Sequence, residues 1–140
     1  IFWYDKPSFY HGEPEMEWFE NLQTVFDDTK VLDGAPGKNI TMARRKGQEW
    51  FVAAMTNNEG SEEEIPLTFL DKEKNYLACI YTDGGEKIKT STQVKCTYLL
   101  VNASQTMKFQ LKPSGGAAIR LVPIDRQEMK KYKKYKGERL

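Results

Sequence analysis

Histidine and cysteine are almost missing from this sequence: His11 stands alone, and Cys79 and Cys96 are the only two cysteines in 140 residues. A His-rich metal site or a pair of catalytic histidines is therefore excluded. A Ser-His-Asp or Cys-His device would have to be built on His11, which lies in the turn-like stretch Tyr10-His11-Gly12-Glu13-Pro14, where a solvated side chain is the ordinary outcome. Two cysteines cannot staple a small disulfide scaffold and lack the spacing of a zinc site, so they leave the redox compartment open. Long apolar runs are missing too. No stretch approaches the roughly 18 uninterrupted apolar residues of a membrane helix, and the N-terminus has neither the basic flank nor the apolar core of a secretory signal. The chain as given reads as soluble, and its first residue, Ile1 rather than Met, suggests a processed product or an excised fragment. Charge of one sign is absent as well: Lys plus Arg is 21, Asp plus Glu is 20, and the formal net charge is +1. Neither nucleic acid nor a membrane is an expected partner on that balance.

What is present is unevenly arranged. Residues 1–36 hold eight acids and two bases, residues 37–124 nine acids and twelve bases, and residues 125–140 three acids and seven bases. The loop signal Asp33-Gly34-Ala35-Pro36-Gly37 places a boundary after residue 36. Ahead of it, residues 2–5 read as the end of a buried strand and Lys6-Pro7-Ser8 as a turn. A helix follows, entered at Pro14, acidic at Glu15, Glu17 and Glu20, apolar at Met16, Phe19 and Leu22 with Trp18 beside them, and ending near Gln23 or Thr24. One strand and one helix cannot bury their own apolar faces, so this segment reads as the last unit of something larger.

Beyond residue 36 the period changes to two. Residues 39–46 form one run, and Lys46-Gly47-Gln48-Glu49 turns tightly into residues 50–56, whose two parities are both apolar. That pattern predicts a central strand covered on both faces. Ile65, Leu67 and Phe69 alternate with polar positions beside Pro66, an edge-strand signature. Runs at 75–82, 93–101, 107–111 and 117–122 complete seven strands. The expectation is a mainly β domain, an antiparallel β-sandwich of the Greek-key type preceded by a short helical segment, with a single curled barrel as the alternative. Residues 125–140 predict a short helix with Met129, Tyr132 and Tyr135 on one face, read as a solvated or frayed basic tail.

Candidate chemistry is thin. Glu13, Glu15, Glu17 and Glu20 crowd one helix, and glycoside hydrolysis needs two acids, but nothing supplies a cleft that would drive their pKa values apart. Helix-dipole and solubility roles are expected for them. Glu62-Glu63-Glu64 reads as a solvated strand start without the alternating oxygens of a calcium loop. Asp83-Gly84-Gly85 and Ser114-Gly115-Gly116 are turns rather than phosphate loops. Trp3, Trp18 and Trp50 could stack on sugars, but each sits in an apolar periodic run and is expected in a core. If residues 76–82 and 93–99 pair about the intervening loop, positions summing to 175 lie opposite, which puts Cys79 across from Cys96. A cross-strand disulfide is then geometrically conceivable, with buried free thiols the default. Asn39-Ile40-Thr41 and Asn102-Ala103-Ser104 match the glycosylation pattern, which carries no weight alone. No catalytic, cofactor-binding or metal-ligating residue is assigned.

Several strings carry a resemblance. They are Phe2-Trp3-Tyr4-Asp5-Lys6-Pro7-Ser8, Gly12-Glu13-Pro14-Glu15 through Trp18-Phe19, the run from Leu22 to Leu32, and above all Ala43-Arg44-Arg45-Lys46-Gly47 followed by Trp50-Phe51 within residues 40–57. Together with residues 76–83 and the Gly115-Gly116 ending, they resemble the C-terminal part of glycoside hydrolase family 97. The resemblance implies a parent that is a bacterial, periplasmic or secreted, calcium-assisted α-glycosidase acting on α-glucosides or α-galactosides. That parent has an N-terminal β-sandwich, a (β/α) barrel and a C-terminal β-sandwich. Residues 1–36 would be the end of the barrel, 37–124 the sandwich, and 125–140 a basic tail that departs from the family, as does Gln23 where proline is common. Catalytic acids and calcium-binding glutamates would lie upstream, leaving no cofactor here. The expected function is a non-catalytic domain that packs on and stabilises the parent barrel. An independent carbohydrate-binding module or a self-association module, forming a homo-oligomer, is the alternative.

Overall fold

A computed structural model describes residues 6–140, so the expected strand end at residues 2–5, with Trp3, lies outside the described residues. Nine strands follow a short α-helix: α1 (Met16–Asn21), β1 (Asp28–Ala35), β2 (Asn39–Lys46), β3 (Glu49–Thr56), β4 (Ser61–Pro66), β5 (Asn75–Asp83), β6 (Val94–Asn102), β7 (Thr106–Leu111), β8 (Gly116–Pro123) and the two-residue β9 (Lys133–Lys134). Seven of them form one sheet in the order β1-β2-β3-β8-β5-β6-β9, and β4 pairs with β7 in a second. The β-sandwich expected from the sequence is thus present. β8 returns beside β5 after β6 and β7, which is Greek-key order.

Period two decides what faces inward. Trp50, Val52 and Ala54 of β3, Tyr76, Ala78 and Ile80 of β5, and Ala117, Ile119 and Leu121 of β8 share a core with Ile65, Met107, Phe109 and Leu111 of the smaller sheet. The opposite parity of the same central strands, Phe51, Cys79 and Tyr81, forms a second buried cluster with Trp18 of α1. The two-sided runs are explained: one side closes the sandwich and the other carries the N-terminal segment. Only part of β3 is covered twice, since Ala53 and Met55 are exposed. The β2–β3 hairpin is as tight as predicted, Lys46 pairing with Glu49, with Gly47 at φ +58° as a two-residue loop requires.

Three expectations change. The sheet begins at Asp28, so the Asp33-Gly34-Ala35-Pro36-Gly37 stretch is the β1–β2 hairpin inside the sheet rather than a linker after residue 36. A bulge between Val31 and Asp33 interrupts β1, turning Leu32 against the core and breaking the alternation by which a strand would be recognised. The helix is six residues long and stops at Asn21, because Leu22 is already extended. The basic tail is not a frayed helix. After a 3₁₀ turn at Glu128–Lys131, β9 runs parallel to β6, and Tyr135 is buried to 3% exposure. Its hydroxyl donates to the Glu138 carbonyl (2.8 Å) and accepts from the Lys108 amide (3.0 Å). Leu140 then exchanges backbone bonds with the β7 edge, its N–H donating to Lys108 O and its carbonyl accepting from Gln110 N–H, each at 2.9 Å.

Candidate functional site

The outer face of the large sheet is where the chain assembles its least ordinary chemistry. Trp18, on the buried side of α1, meets Phe51 edge-on at 5.4 Å between centroids and Tyr81 at 6.2 Å. Phe26 extends the stack against Phe51 at 5.9 Å, and the Arg44 guanidinium lies 5.3 Å over the Phe26 ring. Such edge-to-face contacts add about 0.5–1.5 kcal/mol each beyond area burial.

Two carboxylates just ahead of the tryptophan fasten the segment. Glu17 Oε2 accepts from both Tyr81 (3.0 Å) and Tyr98 (2.7 Å); burial foremost, and then these bonds to a carboxylate, push both phenol pKa values up. Glu13, only 7% exposed, accepts from the amides of Ser91 (2.9 Å) and Thr92 (3.2 Å) and from the Thr92 hydroxyl (2.5 Å). Those donors, the Thr92 hydroxyl foremost, lower its pKa from 4.5 to about 2. A general acid needs the opposite shift, so Glu13 cannot hold a proton for a leaving group near neutral pH. The acidic cluster is not simply a solvated face: Glu13 and Glu17 are anchors, Glu15 is half-buried and Glu20 is exposed.

Other candidates resolve as follows. His11 is exposed in its turn. Trp50 packs on Phe69 at 4.7 Å inside the sandwich, and Trp18 is buried in the seam, so neither offers a ring face for sugar. The Glu62-Glu63-Glu64 run is not simply solvated. Glu63, 3% exposed, takes hydrogen bonds from Ser61 Oγ (2.6 Å), Asn39 Nδ2 (3.0 Å) and Thr41 Oγ1 (3.3 Å), tying β2 to β4. Its parity with Ile65 and Leu67 was the available signal. Asp83 Oδ2 accepts from the Gly116 amide (3.1 Å), joining the two glycine turns. Asn39 also reaches Asp33, while Asn102 Oδ1 accepts from the Ser104 amide. Cys79 and Cys96 are free. The β5–β6 register pairs Cys79 with Tyr98 and Tyr81 with Cys96, two residues away from the register that would bridge them. Burial pushes the Cys79 thiol up to about 12 and raises Cys96 as well. Among the described residues no three His, Cys, Asp or Glu side chains converge on a point that could hold a metal ion.

A seven-stranded sheet closed by the β4–β7 pair on one side, and bearing an anchored N-terminal segment on the other, defines a β-sandwich module. The sequence model described as glycosyl-hydrolase 97 C-terminal, oligomerisation, matches residues 25–122. The chain is 35% identical over 118 residues to a retaining alpha-galactosidase of Bacteroides thetaiotaomicron, covering 84% of this chain and 18% of that protein. It is 26% identical over 113 residues to a probable retaining alpha-galactosidase of Streptomyces bingchenggensis, covering 80% and 16%. In structure it superposes on a glycoside hydrolase family 97 enzyme from Pseudoalteromonas sp. strain K8, in complex with acarbose, with a TM-score of 0.78 and 30% identity, over 86% of this chain and 20% of that one. The chain belongs to the C-terminal, oligomerisation, family of glycoside hydrolase 97. It spans less than a quarter of the length of these relatives.

Proposed function

We propose that this chain is the non-catalytic C-terminal sandwich of a retaining α-glycosidase, and that it packs on and stabilises the catalytic barrel of the same polypeptide. The observation that carries the reading is the seam: residues from Glu13 to Phe26 are fastened to the outer sheet face by aromatic packing and two carboxylate anchors. Residues up to about Thr24 are then the last unit of the barrel, and the sheet from Asp28 onward is the accessory domain. Names of the relatives favour α-galactosides as substrates of the parent, with α-glucosides second. Export to the periplasm and calcium bound upstream belong to the same reading, with no step here depending on either.

The test compares the full-length gene product with the same protein ending at Thr24. The full-length protein is expected to hydrolyse an aryl α-galactoside or α-glucoside, and removal of residues 25–140 to lower its melting temperature and active yield. The 140-residue chain alone is expected to give no turnover. Turnover by the short chain, or an unchanged melting temperature after truncation, defeats the proposal.

A further inference from the structure

Beside the seam, the outer sheet face stays bare. Two rows of residues cross it: Val31, Met42, Ala53 and Ala118 in register, then Gly34, Ile40, Met55 and Gly116. Neither row contains a charged or polar side chain, while the next row toward the sheet's other end holds Arg44 and Arg120. Val31 is 66% exposed, Met55 64% and Ile40 42%. Met55 lines both the groove beside Phe19 and Trp18 and the groove floored by Val31 and Ile40, so the bare surface continues the seam without a break.

We infer that these two rows are the seat of the upstream part of the same polypeptide, with Met55 at its centre. Two observations select that occupant over a second copy. The chain approaches the sheet on this face, since α1 already lies there against Phe51 and Tyr81. The family is a C-terminal one and the chain spans about a fifth of its relatives, so the larger part of a parent precedes the seam and enters beside it. Neither row carries a charge, although Lys38, Glu15 and Asp83 stand at the rims of the two grooves, and such an apolar strip suits a permanent interface rather than one that opens and closes in water. The inference rests on the proposed function and adds to it which face is covered.

The test is thiol labelling of the full-length protein carrying Met55→Cys or Ile40→Cys, with Glu73→Cys in an exposed turn as the control. Both positions are open in the chain itself, so the substitutions do not disturb its cores. Labelling by a maleimide at least tenfold slower at positions 55 and 40 than at 73, unchanged across a hundredfold dilution, is the expected result. Labelling as fast as at 73 overturns the inference. Protection that disappears on dilution, in step with loss of oligomer by light scattering, overturns it in favour of a second copy. If position 55 labels fast while truncation at Thr24 still destabilises the enzyme, the proposed function stands and only the assigned face is wrong.

Discussion

A carboxylate that accepts from two backbone amides and a hydroxyl is stabilised only while it is ionised, which makes Glu13 a pH-dependent fastener. Its folded pKa of about 2 lies below the ordinary 4.5. Above pH 4.5 both folded and unfolded chains are ionised there and the contribution is complete. As pH falls from 4.5 toward 2, the unfolded chain takes up a proton that the folded chain still refuses, and the contribution is lost. Asp27, Asp28 and Asp71 are lowered too, so the wild-type profile alone does not isolate the effect. Glu13→Gln does. The variant is expected to be less stable at pH 7, with the gap to wild type closing between pH 4.5 and 2, read as urea midpoints at each pH. Parallel profiles would show that Glu13 contributes no ionisation-linked stability. Cys79 and Cys96 are the converse case: desolvation keeps both thiols protonated, and the register holds them apart.

At the scale of elements, the C-terminal residues act as a strap. Tyr135 reaches the core from the far side of β6, and its hydroxyl serves the Lys108 amide and the Glu138 carbonyl together. Tyr135→Phe removes both bonds and leaves an amide without its acceptor, a loss of about 1–3 kcal/mol. Tyr135→Ala adds a cavity, for about 3–5 kcal/mol. Chemical denaturation measures both, and a change below about 0.5 kcal/mol in each would return the tail to a frayed end. This strap was illegible because its signal is one tyrosine among lysines: Tyr132 and Tyr135 suit a helix face as well as a strand, and tertiary pairing with β6 decided. β1 escaped for a different reason, its bulge at Leu32 cancelling the kind of alternation that marks β7. Where apolar residues filled both parities, as at residues 50–56 and 75–82, the sequence revealed the strand and its two-sided burial, which is complete along most of β5 and partial along β3. The anchors were half legible. Glu13 and Glu17 drew notice by crowding, but their acceptor roles depend on Thr92, Tyr81 and Tyr98, more than 60 residues away.

For the whole molecule, the question is whether sheet and N-terminal segment fold as one body. Trp18 and Trp50 lie on opposite faces of the same sheet, one in the seam and one in the sandwich core, and both clusters draw on β3 and β5. Losing the sandwich core would unpair the strands that carry Phe51 and Tyr81, so the seam cannot outlast it. The converse is less obvious, since α1 has only six residues and cannot persist as an isolated helix. Its stability is borrowed from Phe51, Tyr81 and the two carboxylate anchors, three of whose four donor residues sit on or beside β5 and the loop that follows it. Cooperative unfolding follows if that coupling exceeds the cost of ordering residues 6–26. Fluorescence reads each layer separately in a Trp3→Phe background, with Trp18 alone after Trp50→Phe and Trp50 alone after Trp18→Phe. Each variant is to be scaled to its own circular-dichroism transition in urea. The expected outcome is one midpoint per variant, shared by the tryptophan signal and the sheet signal. A Trp18 transition well below the sheet transition would mean that the segment peels away first. A barrel joined through that segment would then be tethered to the sandwich rather than braced by it.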